Sequence, residues 1–213
     1  MSGGLPPAVI AGFEREGIRH EGVLAAMREV DRALFVPASE RDAAYGDHPL
    51  PIGHGQTISQ PFVVAFLAQA LDPSPADRIL EIGAGSGYQA AVLSRIAGEV
   101  FSLEIIPSLA EQAARNLETA GIDNVTVAQG DGYEGWPDEA PFDGILLTAA
   151  PAEIPAPLKK QLAPGGRLVA PVGEARQEVV VLRRKPDGSF AEESLLPVRF
   201  VPMTGRAETG GGD

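Results

Sequence analysis

The 213-residue sequence contains no cysteine, which removes disulfides, thiolate metal ligands and thiol nucleophiles together. Histidine is scarce too. His20, His48 and His54 are scattered, no two stand at the spacing of a metal-ligand pair on one helix face, and no metal site is expected. Basic residues number 17 against 29 acidic ones, for a net charge of -12. Such a surface repels phosphate backbones, so nucleic acid is not expected as a partner; the plain reading of the acidity is solubility. No apolar run approaches the roughly 18 residues of a membrane span. The first residues, Met1-Ser2-Gly3-Gly4-Leu5-Pro6-Pro7, lack the basic-then-apolar order of a signal peptide. A cytoplasmic protein without membrane contact is expected.

What is present is patterned. The length allows one sizeable core, and one domain spanning residues 1–213 is expected. It divides into a helical N-terminal extension at 5–45, a loop and helix at 46–71, an α/β core at 78–204 and a frayed polar tail at 205–213. Val23, Met27, Val30 and Leu34 recur at helical spacing, and Pro37 ends that pattern. Residues 46–60, rich in glycine and proline, have no period and read as loop. Pro61 suits the first turn of a helix running to about Leu71. Strands then alternate with helices: strands at 78–83, 99–104, 124–129, 142–148 and 167–172, helices at 86–97, 107–120 and 153–162. This alternation predicts a mostly parallel sheet with helices on both faces, a Rossmann-like α/β fold. Strand-like runs at 178–184 and 190–201 flank Lys185-Pro186-Asp187-Gly188-Ser189. Asp-Gly between apolar runs signals a hairpin, so the sheet is expected to end in an antiparallel pair. The flexible Asp187-Gly188 bond is also a candidate for spontaneous isomerisation.

Glu81-Ile82-Gly83-Ala84-Gly85-Ser86-Gly87 joins the first core strand to a helix. Its glycines permit a tight turn and close approach of a ligand. The spacing is Gly-x-Gly-x-Gly, not the Gly-x-Gly-x-x-Gly of dinucleotide sites. Glu104 ends the next strand, about 20 residues after Gly83, where an acid can accept both hydroxyls of a ribose. Gly130-Asp131-Gly132 closes the third strand, and Asp131 can accept from an adenine amino group. Together these residues indicate a nucleoside, and the spacing favours S-adenosylmethionine (SAM) over a nicotinamide cofactor. A nicotinamide site and a turn that only packs helix on strand remain as alternatives.

Without cysteine, cytosine C5 methylation is excluded. Thr148-Ala149-Ala150-Pro151 after the fourth strand holds no amide or carboxylate for an exocyclic amine. A carboxylate acceptor suits the sequence, because with a pKa of about 4 it is ionised at neutral pH and needs no general base. Several segments then combine: Gly53-x-Gly55-Gln56-Thr57-Ile58-Ser59-Gln60-Pro61, Leu80-Glu81-Ile82-Gly83-x-Gly85-Ser86-Gly87, Gly130-Asp131-Gly132 and Val198-Arg199-Phe200-Val201-Pro202-Met203. With them the chain resembles the bacterial type of protein-L-isoaspartate O-methyltransferase over residues 24–204.

The resemblance implies transfer of a methyl group from SAM, leaving S-adenosyl-L-homocysteine, to the free α-carboxylate of L-isoaspartyl residues in damaged proteins and peptides. The ester then closes to a succinimide. It implies Ser59 as the catalytic serine and acceptor contact, with Val201 beside the peptide. It assigns Thr57, Ile58, Gly83, Gly85, Ser86, Gly87, Glu104, Asp131, Gly132 and Thr204 to SAM. It also implies that the last two strands are exchanged relative to most methyltransferases. A monomer is expected. A SAM-binding module without catalysis and a small-molecule O-methyltransferase are the rival functions. Ser59 can also cap the helix that starts at Pro61. Glu81 is either a structural acid or a contact to the methionyl amine. His54 reads as solvated or packing, Trp136 and Tyr133 as cover or core, and Arg199 as outward-facing or salt-bridged.

Overall fold

A computed structural model describes residues 3–209. The N-terminal part is less continuously helical than its periodicity predicts. Helices α1 (Pro7–Arg15) and α2 (Glu21–Glu29) are followed by two 3-10 turns, Arg32–Phe35 and Ala38–Ala43. Val23 and Met27 are buried in α2, whereas Leu34 belongs to the first of these turns. The expected loop at 46–60 contains a hairpin of β1 (Leu50–Gly53) and β2 (Gln56–Ile58). Its strands are too short to show a period, and its tip is unusual. Gly53, His54 and Gly55 all have positive φ, so the chain reverses over three left-handed residues. Helix α3 (Pro61–Leu71) starts at proline as predicted.

The core alternates as expected: β3 (Arg78–Ile82), α4 (Tyr88–Ser94), β4 (Glu99–Glu104), α5 (Pro107–Thr119), β5 (Val125–Gln129), β6 (Phe142–Leu147), α6 (Ala156–Gln161) and β7 (Leu162–Val172). Helix α5 buries Leu109, Ala113 and Leu117 on one face. Two strands follow, β8 (Gln177–Arg184) and β9 (Phe190–Val198), each antiparallel to its predecessor. The seven-stranded sheet runs β5-β4-β3-β6-β7-β8-β9. After β3 the chain goes to one side of the sheet and returns on the other with β6, so β3 and β6 flank the switch point where open sheets bind ligands.

Period-two alternation splits the strands between two cores. Ile79, Val100, Leu146 and Val169 face the cluster under α1–α4, while Leu80, Phe101, Ile145 and Leu168 face the cluster under α6 and the C-terminal segment. A sheet buried on both faces requires such apolar strands.

The tail differs from expectation. Gly205–Thr209 forms a 3-10 turn, and the amide of Arg206 donates to Asp131 Oδ2 at 2.9 Å. The rest of that expected frayed segment, 210–213, lies outside the described residues. At the β8–β9 turn the Asp187 carboxylate accepts from the Ser189 amide (2.9 Å) and hydroxyl (2.6 Å), and these bonds hold its pKa low. The Gly188 amide donates to Lys185 O at 2.9 Å. Closure to a succinimide needs that nitrogen to attack that carboxyl carbon, so the folded turn opposes the isomerisation that the bare Asp-Gly pair invites.

Candidate active site

The C-terminal ends of β3, β4 and β6 open onto a cleft, the place where open parallel sheets bind ligands. Its floor is the turn after β3. The amides of Gly83 and Ala84 donate to Leu103 O, at 2.8 and 3.1 Å, tying the turn to β4. Gly83 has φ +96°, and a Cβ there would strike the hydroxyl of Thr148. A Cβ on Gly132 would strike the side chain of Ile82. Packing within the protein therefore requires both glycines, and both line the cleft.

Glu104 stands at the end of β4, 6% exposed. Its Oε2 accepts from the Gly85 amide at 2.8 Å and its Oε1 from the Ile106 amide at 3.0 Å. A carboxylate has about four lone-pair sites, so acceptor capacity for two hydroxyls remains. The β1–β2 hairpin supplies the opposite wall through Thr57, Ile58 and Ser59. At its tip His54 is exposed and its Nε2 lies 2.9 Å from Ser108 Oγ on α5.

Gly83, Gly85, Ser86, Glu104, Gly132 and Thr204 also line this cleft. Gly87 and Asp131 are not among its lining residues. Gly87 is the helix-capping residue of α4 and faces Ala113. Asp131 lies behind the wall, holding the Tyr133 amide at 3.0 Å and the tail through Arg206. Trp136 and Tyr133 pack on the second core, Trp136 edge-on to Phe101.

A second groove runs between β2 and the residues after it, the start of α3, and the end of β9 with the segment beyond, lined among others by Phe62, Leu196, Arg199 and Val201. Arg199 is exposed and has no ion pair among the described residues. The segment bearing Val201 is fixed on two sides. Gln177 accepts from the Phe200 amide at 2.6 Å and donates to Phe200 O at 3.2 Å. Ala150 donates to Val201 O at 2.9 Å and accepts from the Met203 amide at 2.8 Å. Four residues line both spaces: Thr57, Ser59, Thr148 and Pro202. The cleft and the groove therefore meet at Ser59 and Thr148.

Ser59 does not cap α3. The capping position is Gln60, without a side-chain bond, and the Phe62 amide is held instead by Asp47 Oδ1 at 2.7 Å. With that amide held by Asp47, Ser59 stands outside the cap and lines the cleft. Sequence reasoning missed Asp47 because it is distant in sequence. It also missed Arg32, which is fully buried and donates to Ser59 O at 3.0 Å. Thr148 stood in a quoted motif, but its contacts to Gly83 O (2.6 Å) and Ile82 O (3.1 Å) needed the sheet.

Glu81 is fully buried in β3, bonded to the Ser102 hydroxyl on β4, and is not among the residues lining the cleft. Burial above all, then the neighbouring Glu104 charge, raises its carboxyl to about 8, against the Ser102 hydrogen bond. A raised folded pKa means that the fold prefers the protonated acid. Stability is then full below the unfolded value of 4.5 and declines as pH rises from there to about 8. The cost at neutral pH is about 3 kcal/mol. Glu81→Gln is therefore expected to melt higher than the native protein at pH 8 and close to it at pH 4.5. An offset equal at both pH values would show that Glu81 does not titrate in this way.

Comparison with known proteins agrees with this geometry. The profile of the protein-L-isoaspartate(D-aspartate) O-methyltransferase family matches residues 7–208. A protein-L-isoaspartate O-methyltransferase of Anaeromyxobacter dehalogenans is 58% identical over 191 residues, 88% of this chain and 91% of the relative. One from Methanoregula boonei is 56% identical over 89% of this chain and 88% of the relative. Among solved structures, a protein-L-isoaspartate O-methyltransferase superposes with a TM-score of 0.86 at 31% identity, covering 94% of this chain and 66% of its own. A Plasmodium falciparum protein assigned to the same activity, in complex with S-adenosyl-L-homocysteine, has a TM-score of 0.79 at 26% identity, with 92% of this chain and 97% of its own covered.

Proposed function

Because the chain belongs to the protein-L-isoaspartate(D-aspartate) O-methyltransferase family, we propose that it esterifies the free α-carboxylate of L-isoaspartyl residues in damaged proteins and peptides, initiating repair through a succinimide. The cleft fits SAM: Gly83 and Gly132 line it and Glu104 offers carboxylate oxygens at the end of β4. Glu104 would hold the ribose, Gly83, Gly85 and Ser86 the methionyl end, and Thr57, Ile58 and Thr204 the cover. Gly87 and Asp131 would act at one remove, Gly87 by starting α4 and Asp131 by tying the tail against the adenine end. Bound SAM supplies an electrophilic sulfonium methyl.

The residues of this chain then have a limited task. The acceptor is already a carboxylate at neutral pH, so no proton has to be removed. It has to be oriented and kept dry. Ser59 would donate its hydroxyl hydrogen to one acceptor oxygen, and the groove beside Val201 would hold the peptide. The observation that carries this reading is the meeting of cleft and groove at Ser59 and Thr148. A binding module without catalysis has no use for the second groove. No described helix is long and apolar enough to cross a membrane, and cytoplasmic action as a single domain and monomer is part of the proposal.

Two synthetic peptides that differ only in Asp versus isoAsp test the reading. Transfer of label from SAM is expected to the isoAsp peptide and at least 100-fold less to the Asp peptide. Equal transfer to both, or transfer to neither, would overturn it.

A further inference from the structure

Arg32 is 0% exposed. Its Nη1 donates to Ala44 O at 2.8 Å and Gly46 O at 3.3 Å, and its Nη2 to His48 O and Ser59 O, both at 3.0 Å. Among the described residues no carboxylate stands within ion-pair distance of it. Asp47 is close enough to be felt electrostatically, but one of its oxygens is committed to the start of α3. The guanidinium also lies 5.9 Å from the ring centre of Tyr88, which lines the cleft. Burying a cation against neutral carbonyls is costly, and apolar packing of the same volume is as a rule at least as stable. Packing alone therefore gives no reason for an arginine here.

The four carbonyls belong to two stretches, 44–48 and Ser59. The first leads into Pro49, which lines the groove, and the second carries the hydroxyl at the junction of groove and cleft. One rigid planar fork spans both, a geometry that lysine cannot reproduce. Charge adds to this. The chain carries -12 overall, Glu104 stands in the cleft, and the acceptor is itself an anion. Among the described residues no Lys or Arg lines the cleft, and Arg199 is the one cation lining the groove.

We infer that Arg32 is a positioning residue for the acceptor: it braces the Ser59 loop against residues 44–48 and sets a positive charge without a direct carboxylate partner behind the carboxylate to be methylated. The inference rests on the isoaspartyl reading above. It acts through Ser59 and touches neither substrate.

The test compares native protein, Arg32→Met and Arg32→Lys. Affinity for S-adenosyl-L-homocysteine is measured by calorimetry, and KM and kcat with the isoAsp peptide by label transfer. For Arg32→Met the nucleoside Kd is expected to stay within 3-fold while the peptide KM rises at least 10-fold. Arg32→Lys, with the charge but without the fork, is expected to recover part of that rise. A folded variant with unchanged peptide KM would overturn the inference, as would nucleoside affinity falling as far as KM rises. Should Arg32→Met not fold, Arg32→Lys decides by the same two numbers. The native protein gives an independent measurement. With S-adenosyl-L-homocysteine bound, a peptide bearing the free α-carboxylate is expected to bind at least 10-fold tighter than its α-carboxamide, and equal binding overturns the charge effect. If the native protein transfers nothing to the isoAsp peptide, the isoaspartyl reading fails. If it does and the variants keep its KM, the role of Arg32 fails.

Discussion

Ser59→Ala is expected to lower kcat/KM for an isoAsp peptide by about 10- to 100-fold, the worth of one hydrogen bond to a charged group at about 1.5–3 kcal/mol. Affinity for S-adenosyl-L-homocysteine should stay within 2-fold, because Glu104 and the glycine turn are untouched. Melting should scarcely move either. The Ser59 hydroxyl makes no helix cap, that bond belonging to Asp47 and the Phe62 amide, and Arg32 holds the Ser59 carbonyl rather than its side chain. An unchanged kcat/KM in the alanine variant would remove Ser59 from the mechanism and leave the groove to orient the peptide by shape alone.

Glu104→Ala should give the opposite pattern. Its carboxylate fixes the amides of Gly85 and Ile106 and is the proposed acceptor for the ribose hydroxyls. Two charge-assisted bonds lost together correspond to about 3 kcal/mol or more, so the Kd for S-adenosyl-L-homocysteine should rise at least about 100-fold. The turn itself should loosen, because two amides lose their partner, and the melting temperature should fall. Glu104→Gln, which keeps one acceptor oxygen and the shape, is expected to fall between. A calorimetric change below about 5-fold in the alanine variant would mean that the ribose lies elsewhere. The two substitutions thus separate the two halves of the site: one alters the use of peptide at constant nucleoside affinity, the other removes the nucleoside.

The readable parts of the chain were those whose signal is local. Gly83 and Glu104 are linked by the period of one strand-turn-helix-strand unit, so their meeting followed once the alternation was seen. The turn at Asp187-Gly188 announced a hairpin, and β8 and β9 pair there. Residues 46–60 hide their hairpin in the sequence because strands of four and three residues among glycines and prolines leave no periodic trace. The apolar spacing of residues 5–45 suggests more helix than the fold contains, since 3-10 turns share much of the apolar spacing of a helix.

By itself the sequence determined a parallel α/β sheet closed by an antiparallel pair, a glycine turn with an acid at the end of the next strand, and through its motifs the family. Those follow from side-chain periodicity and from residue types that only one backbone geometry tolerates. Only the tertiary structure decided that the tail at Gly205–Thr209 closes on Asp131, that Asp47 rather than Ser59 caps α3, and that Arg32 lies buried under Ser59. Each is a bond between segments distant in the chain. In the sequence an arginine near helical apolar positions is indistinguishable from a solvated one, and its burial becomes affordable only when folding brings four backbone carbonyls within reach of a single guanidinium.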